Sequence, residues 1–201
     1  MVEENREDLQ AFLDGYHDCV GSEQESFLKS KAIMMEKRNI CRTYLAVDGQ
    51  RHILGYFSIG LRCIKVPESD ESSKDFNKKM NVDPETKVAQ SYLIGQLSRS
   101  RSSSKGLGSM LMADAIGLIR TANHIVGCRL VRVDCDDALT GHYSSHGFRK
   151  LKENGVGELN QMAYILRNDR RFCYIAQILE ILEVNKRQPS SMIRCNTFYI
   201  L

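Results

Sequence analysis

A short run in the middle of the chain carries residues whose types and spacing suit anion binding. Ser103, Ser104 and Lys105 lead into Gly106-Leu107-Gly108, and a periodic apolar stretch follows from Ser109. Glycines at a turn that opens a helix let successive backbone N–H groups converge on one point. The helix terminus adds roughly half a positive charge. Such a turn holds phosphates, and Lys105 strengthens its field. Two nucleotide fingerprints are set aside, because the chain has no Gly-x-x-x-x-Gly-Lys-Ser/Thr and no complete Gly-x-Gly-x-x-Gly. A Gly-x-Gly alone also starts many helices that bind nothing.

The charge around this turn is one-sided. Between Gln96 and Arg132 stand Arg99, Arg101, Lys105, Arg120, Arg129 and Arg132 against Asp114 alone. The whole chain of 201 residues carries only +3, too little to argue for nucleic acid or an anionic membrane as a general partner. Seven cysteines (Cys19, Cys41, Cys63, Cys128, Cys135, Cys173 and Cys195) include no Cys-x-x-Cys pair. That spacing fits neither a disulfide framework nor a zinc site, so no metal is expected. Cys128 and Cys135 flank an apolar run and read as small core filler.

The elements that must position the turn follow from periodicity. Leu9, Phe12, Leu13 and Tyr16 are spaced as one helical face, and Ser22 to Arg38 as a second amphipathic helix. Ser22 with Glu25 three residues on is the signature of a capping box. Ile40 to Val47 alternates up to Asp48-Gly49, a hairpin signal, and Ile53 to Ile64 returns as a strand. Pro67 to Pro84 is polar and reads as a long exposed loop with a helical turn around Phe76 to Met80. Val88 to Ser98 is a strand, Ser109 to Asn123 a helix and Cys128 to Cys135 a strand. Asp136 or Asp137 caps a helix through Tyr143 that ends at Gly147-Phe148, and Gln161 to Leu166 is the last core strand. Beyond it Phe172, Ile175, Ile178, Leu179 and Leu182 share one side of a further helix.

Taken together, these motifs resemble the GNAT family of acetyl-CoA-dependent N-acetyltransferases. The run Ser103-Ser104-Lys105-Gly106-Leu107-Gly108, after Leu97-Ser98 and before a long helix, is similar to that family's Gln/Arg-x-x-Gly-x-Gly/Ala loop. Tyr143-Ser144-Ser145-His146-Gly147-Phe148 is similar to its Tyr-x-x-x-Gly-Phe element. The matching order covers about Phe27 to Leu166. One departure stands out: the position usually held by Gln or Arg is Ser103, with Arg101 two residues earlier. Phe27-Leu28-x-x-Lys31-Ala32, Thr43-Tyr44-Leu45 and Gly55-Tyr56-Phe57 are similar to bacterial members, some of which resemble tRNA-acetylating toxins.

The resemblance implies an α/β fold, a mixed and mostly antiparallel twisted sheet flanked by helices. A splayed central strand pair and an extra C-terminal helix complete it. Residues 1–166 would form the transferase domain, and 167–201 a helical extension packed on the core or on a partner subunit. Acetyl-CoA would be the co-substrate, held by Leu97, Ser98, Ser103, Ser104, Lys105, Gly106, Leu107, Gly108 and Ser109. Tyr143 would protonate the leaving thiolate, and the backbone of Leu97 would polarise the thioester carbonyl. Asp134, Asp136, Asp137, His142 and His146 are open candidates for the base. The acceptor is an amine on a small molecule, a peptide or an aminoacyl-tRNA. A non-catalytic CoA-binding module is the rival class, and an ordinary nucleic-acid binder the third. The acidic, polar start at Met1 and the lack of any apolar run near 20 residues place the expected protein in the cytoplasm and off the membrane, with a homodimer as one option.

Overall fold

Three short helices precede the sheet: α1 (Glu4–Asp14), α2 (Glu23–Ser30) and α3 (Ala32–Lys37). The structure is a computed structural model, and it describes residues 4–18, 22–66, 78–152, 158–166 and 198–200. The single helix expected over Ser22 to Arg38 is broken at Lys31, where φ is −118° and ψ −30°. Just before the break, Ser30 Oγ donates to the Ser26 carbonyl at 2.6 Å, a back-bond that bends helices. Ser22 caps α2 by accepting the Glu25 amide at 3.0 Å, as the spacing predicts. The Glu25 carboxylate does not complete a reciprocal box. It accepts from Lys29 Nζ (2.7 Å) and the Asp18 amide (3.0 Å), and these partners hold its carboxyl below the usual range.

The alternating segments pair as expected. Strand β1 (Cys41–Val47) meets β2 (Ile53–Lys65) antiparallel, from Cys41↔Gly60 to Val47↔Ile53. Their connection is wider than a two-residue turn: Asp48 Oδ1 accepts the amides of Gln50 and His52, and Arg51 rather than Gly49 has positive φ, at 66°. Then come β3 (Val88–Arg99), helix α4 (Leu107–Ile125), β4 (Leu130–Cys135), helix α5 (Asp137–Ser145), β5 (Arg149–Lys152), β6 (Asn160–Ile165) and β7 (Phe198–Ile200). The seven strands form one sheet in the order β5-β6-β4-β3-β2-β1-β7. Only β3 and β4 run parallel, and α4 is the crossover that parallel neighbours require.

This is the expected mixed, mostly antiparallel sheet, and its central pair does splay. Pairing of β3 with β4 runs from Ser91↔Leu130 to Ile94↔Val133 and stops, although β3 continues to Arg99 against β2. At the parting point Ser58 faces Gln96 while Ile59 faces Ile94, so Gly95 is the extra residue of a bulge. Strand β5 escaped the pattern search because Arg149-Lys150-Leu151-Lys152 has cations at three of four positions. Pairing to β6 at the sheet edge makes it a strand, and its charges suit an edge. At the other edge, β7 pairs with β1 from Tyr44↔Ile200 to Ala46↔Phe198. The helix expected over 172–182 lies outside the described residues, as does most of the 67–84 loop. Met80 near the end of that loop is 2% exposed and packs with Ile64, Ala89 and Leu130. No helix among the described residues is long and apolar enough to cross a membrane.

Each face of the sheet buries its own core. Leu107, Leu111, Met112, Ala115 and Ile119 of α4 cover Phe57, Ile94, Val131 and Val133. On the opposite face Leu13, Phe27, Leu28 and Ala32 cover Leu45, Val47 and Tyr56, whose ring meets Tyr16 edge-on at 5.7 Å. Gly55 is where β2, β3 and α4 approach most closely. A Cβ there would lie 2.7 Å from the Ser98 carbonyl oxygen and 2.8 Å from Leu111 Cδ1. Gly55→Ala is therefore expected to lower stability by about 1–3 kcal/mol. A fall in the urea midpoint at constant m-value reports this, and an unchanged midpoint overturns the close approach.

Candidate active site

The end of β3 supplies the first component. Ser100 donates its amide to the Leu54 carbonyl at 2.7 Å, which fixes the register of the amides before it. Strand alternation then turns the amides of Gln96 and Ser98 toward β2. Those of Leu97 and Arg99 turn the other way, into the gap that β4 has left. The Leu97 side chain packs against the α4 core, and the Ser98 side chain points to the opposite face.

The serine-rich loop is a folded turn, not a loose linker. Ser103 donates both its amide (3.1 Å) and its hydroxyl (2.6 Å) to the Ser100 carbonyl. Ser100 Oγ reaches the His17 carbonyl (3.2 Å) and Ser102 Oγ (2.9 Å). The Ser103 side chain is thus spent on the loop itself, at the position where the resembling family presents Gln or Arg. Arg101 is tied to the end of α1 through its amide and the His17 carbonyl (3.4 Å). It lines a concavity with His17, Arg51 and His52. Gly106 follows at φ 93° and ψ −16°, the N-cap of α4, with no side chain capping the helix. Nothing lies within 4 Å of a Cβ built at Gly106 or Gly108. Ser104, Lys105 and Gly106 are exposed. The first amides of α4 therefore face an open cradle, and that donor set fits a pyrophosphate.

The third component arrives from β4 through α5. Tyr143 is 8% exposed and packs edge-on against Phe148 at 5.9 Å. Its hydroxyl makes no hydrogen bond among the described residues. Burial first, then the neighbouring Cys135, pushes its phenol up to about 12. The helix ends as the motif predicts: Gly147 has φ 86°, and Phe148 donates its amide to the Tyr143 carbonyl at 3.2 Å. Tyr143 and Leu107 belong to one buried cluster against which Leu97 packs.

The base candidates fare unequally. Arg132 holds Asp134 in a two-pronged pair at 2.7 and 2.7 Å. Asp137 accepts from Asn160 Nδ2 at 2.8 Å, and Asp136 sits at the N-cap of α5 without a side-chain capping bond. His142 and His146 lie ring to ring at 4.9 Å on α5. Burial and then His146 lower the His142 pKa.

Pattern reading missed a polar group on the other face of β3. Tyr16 hydroxyl and Ser98 Oγ are 2.8 Å apart, and Ser98 Oγ also donates to the Asp18 carboxylate in a short bond. Two residues before Ser98, Gln96 Oε1 is buried with no hydrogen-bond partner among the described residues. No local signal could have found this group, because Tyr16 and Asp18 lie about 80 residues from Ser98 and meet it only through packing.

No protein-family model and no curated protein matches the chain. Among solved structures it is similar to one described as AtaT complexed with acetyl-methionyl-tRNAfMet. The two share 22% identity and a TM-score of 0.60 over 85% of this chain and 91% of that one. It is also similar to a tyrosine-to-phenylalanine mutant of KacT at 23% identity and a TM-score of 0.61, covering 78% and 90%. A third, AtaTR bound with AcCoA, aligns at 23% identity and a TM-score of 0.57 over 83% and 88%. At such identities the likeness is one of fold, the GNAT-like fold that the motifs imply.

The buried Ser98 group yields a direct test. Ser98→Ala removes the bond to the Tyr16 hydroxyl and a charge-assisted bond to Asp18, so stability should fall by about 1–3 kcal/mol. Ser98→Thr, which keeps the hydroxyl, should fall less. Equal losses for both in thermal unfolding would show that packing, not hydrogen bonding, dominates there.

Proposed function

We propose that this chain is a GNAT-type N-acetyltransferase that moves acetyl from acetyl-CoA to the α-amino group of an aminoacyl-tRNA. The observation that carries this reading is the opening where β3 parts from β4. The Leu97 amide turns into that opening, α4 begins with no side chain capping it, and the Tyr143 hydroxyl makes no hydrogen bond among the described residues. Acetyl-CoA supplies an activated acyl carbon and a thiolate leaving group. The amides of Gly108 and Ser109, with Lys105, would hold its pyrophosphate, beside the Leu107 amide, which donates to the Ser104 carbonyl at 3.4 Å. Ser103 and Ser104 shape that turn, and the β3 end from Leu97 to Ser98 would receive the pantetheine arm as an added strand.

The transfer follows from these placements. The Leu97 amide donates to the thioester oxygen as negative charge grows on it. The amine nitrogen bonds to the acyl carbon as the carbon–sulfur bond breaks, and the amine loses a proton to solvent. Tyr143 hydrogen-bonds to the departing sulfur and delivers its proton there, then recovers one from water. With its phenol pushed up to about 12, Tyr143 stays protonated at any working pH. In water it would be a weaker acid than a thiol of pKa about 8.5. Burial raises a thiolate in the same pocket as it raises the phenol, which keeps the pair matched.

Two features favour an α-amine as acceptor. Asp134 and Asp137 are already engaged and are not free to take the proton of a charged amine. At pH 7.5 roughly a third of α-amines are neutral, against about one lysine side chain in a thousand. A neutral amine would donate to Gln96 Oε1, a buried acceptor with no partner among the described residues. The neighbour solved with acetyl-methionyl-tRNAfMet supports the same class of acceptor.

Tyr143→Phe should lower kcat by about 10²–10⁴-fold while the acetyl-CoA dissociation constant changes by less than about twofold. With methionyl-tRNA as acceptor, kcat/KM should rise with pH to a plateau near the α-amine pKa of about 8 and not decline before about pH 10. Full activity in Tyr143→Phe rejects the acid, and acetyl-CoA binding without turnover identifies a binding module instead. Gly106→Ala, strained at φ 93°, should weaken acetyl-CoA binding in calorimetry, whereas an unaltered affinity would remove the turn from the site.

A further inference from the structure

A second anion site lies apart from the glycine turn. Between the C-terminal half of α4, the end of α5 and strands β5 and β6 is a concavity of about 820 Å³. Lys79, Arg120, Arg129 and Arg149 line it, and among the described residues no carboxylate does. Arg129 immediately precedes β4, and its carbonyl accepts the Leu166 amide at 2.8 Å, which anchors its backbone. Its Nε is buried and has no hydrogen-bond partner among the described residues. A guanidinium nitrogen removed from water and left unpaired is unfavourable until an anion arrives. Arg120 is steered by a bond from Nη2 to the Tyr164 hydroxyl at 3.1 Å. Arg149 is exposed on the edge strand and makes no ion pair among the described residues.

The phosphates of acetyl-CoA do not account for this concavity. Leu107 opens α4 at the glycine turn and Arg120 is thirteen residues further along it, roughly 20 Å at 1.5 Å per residue. Along one nucleic-acid strand, phosphates follow at about 3.4 Å of axis each, so roughly 20 Å corresponds to about six nucleotides. We propose that this concavity binds the phosphodiester backbone of an RNA whose aminoacylated 3′ end reaches the opening between β3 and β4. The inference rests on the RNA-borne acceptor of the proposed function. The arginines grip the backbone irrespective of base, because they meet phosphates and not base edges.

The test measures binding of uncharged tRNA to the full chain by fluorescence anisotropy across roughly 0.05–0.3 M salt. Arg129→Gln with Arg149→Gln should weaken binding on the order of tenfold near 0.15 M salt. It should also flatten the slope of log K against log salt by about 1–2. Acetyl-CoA affinity and turnover of methionine methyl ester should be unchanged. Arg149→Gln alone, at an exposed position, should show a smaller change of the same sign if the double variant fails to fold. Unchanged affinity and slope in the folded variants overturn the proposal. So does wild-type protein that acetylates the ester but does not bind tRNA, an outcome that leaves the transferase reading intact. Loss of tRNA binding in the variants of a protein that turns over no amine supports the site while rejecting the transferase. Equal, arginine-dependent binding of polyglutamate overturns the assignment to RNA.

Discussion

The parting of β3 from β4 is the constraint on which the rest of the site depends. Before the Gly95 bulge, Val66 donates its amide to the Lys87 carbonyl, so Lys87, Ala89, Ser91 and Leu93 turn toward β2. Tyr92 and Ile94 then serve β4. After the bulge the alternation is reset, and Gln96, Ser98 and Ser100 turn toward β2. The amides released on the other side belong to Leu97 and Arg99, where β4 no longer runs alongside. One inserted residue thus converts a closed ladder into an edge inside the sheet. Because the two strands are parallel, the helices that follow both begin at that same end. The glycine turn of α4 and the tyrosine-bearing α5 are delivered to the opening by topology.

The two faces of the opening differ in polarity. On the α4 side, Leu97, Tyr143, Cys135 and Val133 make an apolar wall that raises the tyrosine pKa. On the other side a polar row crosses the sheet, since Thr43 pairs with Ser58 and Ser58 with Gln96. Thr43 and Ser58 are buried, and Gln96 Oε1 has no hydrogen-bond partner among the described residues. Buried polar atoms normally find partners, and unsatisfied ones mark places where something other than stability set the sequence. Here one borders the strand end that would receive the acyl group. Ser98, tied to Tyr16 and Asp18, closes the row beneath the end of α1.

Charge has a similar geography. A net +3 is unremarkable in total, but the helix α4 separates two cationic groups by most of its length. At its start Lys105 adds to a helix terminus with open amides. Toward its end Arg120 joins Arg129 and Arg149 around a concavity that no carboxylate lines among the described residues. Such separation matters because an anion at either group would be bound locally, within about a Debye length, and the two groups would not compete.

The amino-acid sequence by itself determined the element order, the glycine turn and the tyrosine helix, because each is encoded within a few residues. Gly106 and Gly147 take the positive φ that their motifs require, and Ser22 caps α2 with the amide three residues on. The tertiary structure alone decided what distant residues do to one another. It broke the second helix at Lys31, made a strand of Arg149–Lys152 by pairing, and turned Ser103 inward onto its own loop. It also locked Asp134 to Arg132 and joined Ser98 to Asp18. Capping and turn preferences are local free energies and so are legible in a chain read residue by residue. Burial, pairing and the satisfaction of polar groups depend on partners that only folding brings within reach.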